Sequence, residues 1–222
     1  MAWELAARFA ATLVVAYLLG GVPWALIIGK RFYGIDVRSH GSGNLGATNV
    51  FRALGAKPAI ATLLLDAAKG AAAVGLAAWF VSAATYGGTA RTWAMIGATM
   101  AAMLGHSYSP YIGFRGGKGV ATAAGAVLVL TPQPWAVLLA VFLVVFFATR
   151  IVSLGSIVIA LGYPVMCFVF YPGDWTIIGF SCVAACLVVW RHRANIVRIW
   201  RHEESKIAFG GRGSAARKKG DS

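Results

Sequence analysis

The sequence predicts an all-α, polytopic membrane protein of about seven transmembrane helices, with its N-terminus outside and its C-terminus in the cytoplasm. Three observations predict it. Of the 222 residues, 59% are hydrophobic, and the mean hydropathy is +0.73. Only 12% are charged, against roughly 25% in soluble domains. The basic residues fall mostly between apolar runs or in the terminal stretch, as topology signals do.

A spanning helix needs about 20 apolar residues, fewer where it is short and buried. Spans are expected near residues 9–28, 58–82, 92–104, 120–130, 134–148, 154–170 and 175–189. The first opens after Met-Ala-Trp-Glu without the basic region of a cleaved leader, so it is expected to be retained. The third and fourth are too short for an ordinary crossing. The polar segment between them is therefore expected to dip into the protein, where irregular backbone is tolerated only if protein or a wet cavity surrounds it. After the seventh, Ile196, Ile199 and Trp200 give an apolar face to an interfacial helix. Residues 1–209 are read as one transmembrane catalytic domain and 210–222 as a basic, disordered cytoplasmic tail. No long internal repeat is evident.

With seven spans, Lys30, Arg31, Arg38, Arg52, Lys57, Arg115, Lys118, Arg150 and the tail fall on one side, leaving Arg8 and Arg91 on the other. The positive-inside rule makes the richer side cytoplasmic. The formal charge of +13 also favours anionic substrates and lipids. No soluble module offers a basic face for nucleic acid. Cys167, Cys182 and Cys186 lie inside apolar runs and read as small core hydrophobes.

Two Gly-rich polar stretches face the basic side. The first, 41–52, reads GSGNLGATNVFR; the second, 105–122, reads GHSYSPYIGFRGGKGVAT. Glycines let backbone N–H groups approach an anion, and a neighbouring Arg or Lys adds charge. Gly41, Gly43 and Gly46 fit GxGxxG, but no strand precedes them, so a dinucleotide site is rejected. FRGGKG fails as a Walker A loop: it is one residue short, and Gly119 replaces the Ser or Thr that would hold Mg²⁺. What remains is phosphate-type chemistry, with Ser42, Asn44, Thr48 and Asn49 in the first stretch and Gly116, Gly117, Lys118 and Gly119 in the second.

Asp66 and Lys69 lie within the second span, three residues apart on one face. There a charge costs roughly 2.5–3.5 kcal/mol on insertion scales, so they are expected to pair or to line an internal site. His106 opens the second stretch. His192 stands past the last span with Asn195 on the same helix face. His40, His106, His192 and His202 fit no metal pattern.

The two stretches, with HRANIVRIWRHEESK at 192–206 and LDAAKG at 65–70, resemble the bacterial membrane glycerol-3-phosphate acyltransferases of the PlsY family. The resemblance covers the chain up to Gly210. It departs in the third motif, where the family usually has Gly at the position of His202 and small or aliphatic residues at those of Trp200 and Arg201. It implies transfer of a fatty acyl group from acyl phosphate to the sn-1 hydroxyl of glycerol 3-phosphate, giving lysophosphatidic acid and phosphate without a cofactor. It implies seven spans in a bacterial inner membrane with the active site facing the cytoplasm. Membrane lipid surrounds the chain, and a soluble acyl-phosphate-forming enzyme is a candidate partner.

By resemblance, Ser42 and Arg52 are the essential pair of the first motif. Gly116, Gly117 and Gly119 bind the phosphate of glycerol 3-phosphate. His192 and Asn195 support activity, and Glu204 supports structure. Lys69, Lys118 and His106 are read as substrate contacts beside them, and Asp66 as structural. The proton acceptor is His192 or a substrate phosphate. The HxxxxD motif of another acyltransferase class is absent: Leu45, Tyr111, Val197 and Ile207 stand five residues after the four histidines. The competing reading is a transporter of a phosphorylated small anion. Against it, the polar motifs gather on one face.

Overall fold

Eleven α-helices form the described part of the chain, residues 2–207 of a computed structural model. The expected tail at 210–222 lies outside the described residues. Among those described there is no β-strand, only a bridge between Ser109 and Arg115.

Helix α1 (Ala2–Gly21) breaks at Val22-Pro23 and resumes as α2 (Trp24–Tyr33). Proline lacks the N–H that would continue the ladder and disfavours helix at the residue before it. The expected first span is thus two helices. Helix α3 (Ala47–Leu54) carries the end of the first Gly-rich stretch. Gly55, at φ +92°, turns the chain into α4 (Ala56–Phe80). A short α5 (Ala83–Tyr86) leads to α6 (Gly88–Ser107). The second stretch follows, then α7 (Val120–Leu130), α8 (Pro132–Thr149), α9 (Val152–Phe170), α10 (Trp175–Arg191) and α11 (Arg193–Trp200).

By length and composition, the joined α1–α2 and helices α4, α8 and α9 are each able to cross a membrane. Helices α10 and α11 qualify together but are bent by 60°. Helix α6 corrects one expectation: at 20 residues it is about 30 Å long, the length of a crossing rather than a short helix. Helix α7, at 11 residues, is only about 16 Å long.

Helices α1, α4, α6 and α7 pack as one group, and α8, α9 and α10 as another. The first group is held by close approach. A Cβ on Gly70 of α4 would strike the backbone of Thr122 on α7, and one on Gly125 of α7 would strike Ala67 on α4. Glycines on both sides of one seam let the backbones touch, which suits lipid, where packing rather than hydrophobic burial drives association. Ala16, Ala73, Ala77, Ala98 and Ala102 continue this small-residue core. Outward-facing Val144 and Phe147 of α8 and Leu161 of α9 are well exposed, as lipid-facing side chains should be. Because Gly70 sits midway along α4, the α7 N-terminus meets the middle of α4, which holds the second stretch inside the bundle.

Candidate active site

The first stretch is built around Asn49. This residue is 1% exposed. Its Nδ2 donates to the Val37 carbonyl at 2.8 Å, and its Oδ1 accepts from the Ser42 N–H at 2.9 Å and the Ser42 hydroxyl at 3.3 Å. Gly41, at φ +56°, leaves no room for a Cβ beside that amide. Upstream, Asp36 accepts from the Arg38 backbone and side chain and pairs with Lys30 at 3.3 Å. The Arg38 hydrogen bonds hold the Asp36 carboxyl well below the usual carboxylate range. Arg38 is thereby occupied, whereas among the described residues Arg52 of α3 makes a 3.5 Å contact with the Ser205 carbonyl.

The second stretch folds against α1 and α6. Ser109 donates to the Gly21 carbonyl at 2.6 Å, and Tyr17 to the Tyr108 carbonyl at 2.6 Å. The Gly117 N–H donates to the His106 carbonyl at 3.1 Å. A Cβ on Gly116 would strike that carbonyl, and one on Gly117 would strike the His106 ring. The two glycines therefore let the chain cross His106, and the Gly117 N–H, expected to face phosphate, has a protein partner. Gly119, at φ +78°, opens α7. Gly119, Val120 and Ala121 line the site, so the α7 N-terminus and Lys118 present positive charge to it.

The terminal segment closes the site. His192 stands between α10 and α11 and is 2% exposed. Its Nδ1 lies 2.8 Å from the Val188 carbonyl. A carbonyl only accepts, so Nδ1 carries the hydrogen and Nε2 is left as acceptor. Burial, then Lys118, pushes the His192 pKa down to about 4. Lys118 donates to the Asn195 Oδ1, and the Asn195 Nδ2 donates to Glu204 at 2.6 Å. Glu204 also accepts from Ser153 at 2.8 Å and Arg198 at 2.6 Å. Burial pulls its carboxyl up, but hydrogen bonds from Ser153, Arg198 and Asn195 outweigh that and hold it below the usual range. Burial likewise lowers Lys118 to about 8, with Glu204 opposing and Arg198, Arg52 and Arg191 reinforcing the shift.

These parts enclose a cavity of about 630 Å³. Of the residues read from the sequence, Ser42, Asn44, Thr48, Asn49, Arg52, Asp66, His106, Lys118, Gly119, His192, Asn195 and Glu204 line it. Gly116, Gly117 and Lys69 do not. The Lys69 ammonium lies 2.8 Å from Asp66 and donates to the Val22 carbonyl at 2.8 Å, so it caps the backbone freed by the α1–α2 break. Asp66 also lies 3.7 Å from the His106 Nδ1, which contacts the Thr122 hydroxyl at 3.2 Å.

Among the site residues that escaped the sequence reading are Arg191, Arg198 and Ser153. Arg191 donates to the Gly117 carbonyl at 2.6 Å and lies over the Tyr108 ring. The signal for the two arginines was present: 191, 195 and 198 follow a helical spacing, but their charge reads equally as topology. Among the described residues no group of three or more His, Cys, Asp or Glu is placed to hold a metal ion.

A family profile described as glycerol-3-phosphate acyltransferase matches residues 10–202. A glycerol-3-phosphate acyltransferase of Bacillus cytotoxicus is 44% identical over 200 residues, covering 89% of this chain and 94% of its own length. Two crystal structures of PlsY, an integral membrane glycerol 3-phosphate acyltransferase, superpose at 34% identity. The glycerol 3-phosphate form has a TM-score of 0.79 and covers 90% of this chain and 96% of the other. The lysophosphatidic acid form has a TM-score of 0.77 and covers 90% and 95%.

Proposed function

The chain belongs to the glycerol-3-phosphate acyltransferase family, and from that premise we propose that it moves a fatty acyl group from acyl phosphate to the sn-1 hydroxyl of glycerol 3-phosphate. One observation carries the reading: a single cavity joins a cationic, polar end to an apolar groove. Both substrates carry phosphate, and the polar end offers two anion positions. Ser42 and Asn44 before α3, Thr48 in its first turn and Arg52 in its last turn receive one phosphate. Lys118 and the α7 N-terminus receive that of glycerol 3-phosphate.

The acceptor oxygen attacks the acyl carbon, and the bond from that carbon to the phosphate oxygen breaks. Phosphate is a good leaving group, so alignment supplies much of the rate. A donor such as Ser42, aimed at the developing oxyanion, is worth about 10²–10³ in rate. The neutral His192 accepts a hydrogen bond from the hydroxyl at Nε2 and orients it. Burial holds its pKa low, and the leaving phosphate gains the electron pair of the broken bond. The hydroxyl proton therefore comes to rest on phosphate.

The same reading takes α1–α2, α4, α6, α7, α8, α9 and α10 as seven spans of a bacterial inner membrane, with the site on the cytoplasmic side. The test is purified protein in lipid vesicles given acyl phosphate and glycerol 3-phosphate. Lysophosphatidic acid and phosphate should form in equal amounts, and acyl-CoA should give neither. Equal turnover of acyl-CoA would overturn the donor assignment.

A further inference from the structure

The apolar part of the cavity has a defined end. It runs between α7, α8, α9 and α10, and on each helix the lining stops at one residue: Val127, Trp135, Tyr163 and Phe180. Helices α7 and α9 run away from the polar end, and α8 and α10 run toward it; Tyr163 and Phe180 meet at the far end, with Leu138 and Val127 packed in the same cluster. There the helices close on each other. Tyr163 and Phe180 are each 6% exposed. Their rings meet edge to face, with centroids 6.2 Å apart. The Tyr163 hydroxyl lies 3.0 Å from the Thr131 hydroxyl, and Cys167 and Ile177 pack with the two rings in one buried cluster. Two rings locked together, one also tied by its hydroxyl, make a stiff stop.

We propose that Tyr163 and Phe180 are the floor of the acyl groove and set the chain length of the donor. This rests on the acyl-transfer reading above. Phe180 precedes His192 by twelve residues, which at 1.5 Å per residue is a depth of ~18 Å. A carbon–carbon bond of about 1.5 Å advances an extended chain by somewhat less than its length, so the groove holds on the order of 14 carbons. A longer tail can leave sideways past Leu64 of α4 and Leu139 of α8, which line the groove and are 62% and 39% exposed. Bilayer tails are as apolar as the groove, so discrimination comes from fit rather than from burial. A short chain leaves its neighbours without contacts, and a long one must bend. Ala184, one turn nearer the polar end than Phe180, sets the width of the groove above the floor.

The experiment is a competition. Vesicles carry equal amounts of acyl phosphates from decanoyl to octadecanoyl, glycerol 3-phosphate is added, and the lysophosphatidic acids are resolved by mass spectrometry. Wild-type product should peak at tetradecanoyl to hexadecanoyl. Ala184→Leu should raise the ratio of decanoyl to hexadecanoyl product by roughly tenfold, and Phe180→Ala should raise the ratio of octadecanoyl to tetradecanoyl by a similar factor. The variants act in opposite directions, so loss of one through misfolding leaves the other decisive. An unchanged product distribution in an active variant overturns the floor. Absence of lysophosphatidic acid from wild type with every donor overturns the transfer reading itself, and the floor with it.

Discussion

Both ends of the Asn49 amide are occupied by the protein: Val37 takes its N–H, and Ser42 donates twice to its oxygen. Read from the sequence as a substrate contact, it acts in the structure as the holder of Ser42. Removing the amide leaves the Ser42 N–H unpaired, at about 1–3 kcal/mol, leaves the Val37 carbonyl only the His40 N–H as donor, and lets the hydroxyl wander. Ser42→Ala and Asn49→Ala should each lower turnover by about 10²-fold or more. The double variant should be little worse than either alone, because residues acting as one unit are not additive. Multiplying losses in the double variant, measured as kcat, would separate the two roles. The serine was legible because a polar, Gly-rich stretch beside a membrane is unusual. The amide's partners were not, since nothing local in the sequence joins positions 37, 42 and 49. His202 shows the reverse case. The family usually carries Gly there, and the structure supplies the reason: His202 is at φ +59°, a conformation that costs an ordinary residue about 1–2 kcal/mol. It is also exposed. His202→Gly should raise the thermal midpoint in detergent by a few degrees, and a lower midpoint would show that the ring makes a compensating contact.

At the scale of elements, the proposed function makes the second stretch and α7 one anion-binding unit, with Lys118 as its pH-dependent part. Burial brings the Lys118 pKa down to about 8, so its charge is present below that pH and is lost as pH rises through it. Because kcat/KM follows the free enzyme, its value for glycerol 3-phosphate should fall above pH 8. Lys118→Arg, which stays charged, should carry the plateau to higher pH. A profile identical in both proteins would place the fall on another group. Hydropathy found α7 with its observed ends, because an apolar run bounded by Gly119 and Thr131-Pro132 has clear stops. It shortened α6, whose ends, Gly88-Thr-Ala-Arg91 and His106-Ser107, are polar yet helical. It also merged α1 with α2, since Val22-Pro23 interrupts the backbone without interrupting the apolar run. The Gly116-Gly117 pair was legible as a close approach, but the group approached is His106, which only the packing of α6 against the returning loop reveals.

At the scale of the whole molecule, the three motifs meet at one end of the bundle. Arg52 reaches Ser205, Lys118 reaches Asn195, and the Ile207 N–H donates to the Arg150 carbonyl at the α8–α9 junction. Arg8 lies at the other end, donating to the Phe80 carbonyl at the close of α4 and lying over the Tyr86 ring of α5. Arg91 lies near it in the first turn of α6. The charge asymmetry read along the chain is therefore an asymmetry in space, which is what the positive-inside rule acts on. It also bears on the transporter alternative, because a carrier needs access from both ends and these polar residues gather at one. The prediction is directional. In a background with Cys167, Cys182 and Cys186 replaced by Ala, single cysteines at Ser39 and Tyr111 should react with an impermeant maleimide only from the cytoplasmic face of oriented vesicles. Cysteines at Gly88 and Trp175 should react only from the opposite face. Ser39 and Tyr111 belong to separate loops of one site, so labelling from opposite faces would contradict the shared cavity. Labelling of both from the outer face would keep the cavity but reverse the orientation, parting the site from a cytoplasmic supply of glycerol 3-phosphate.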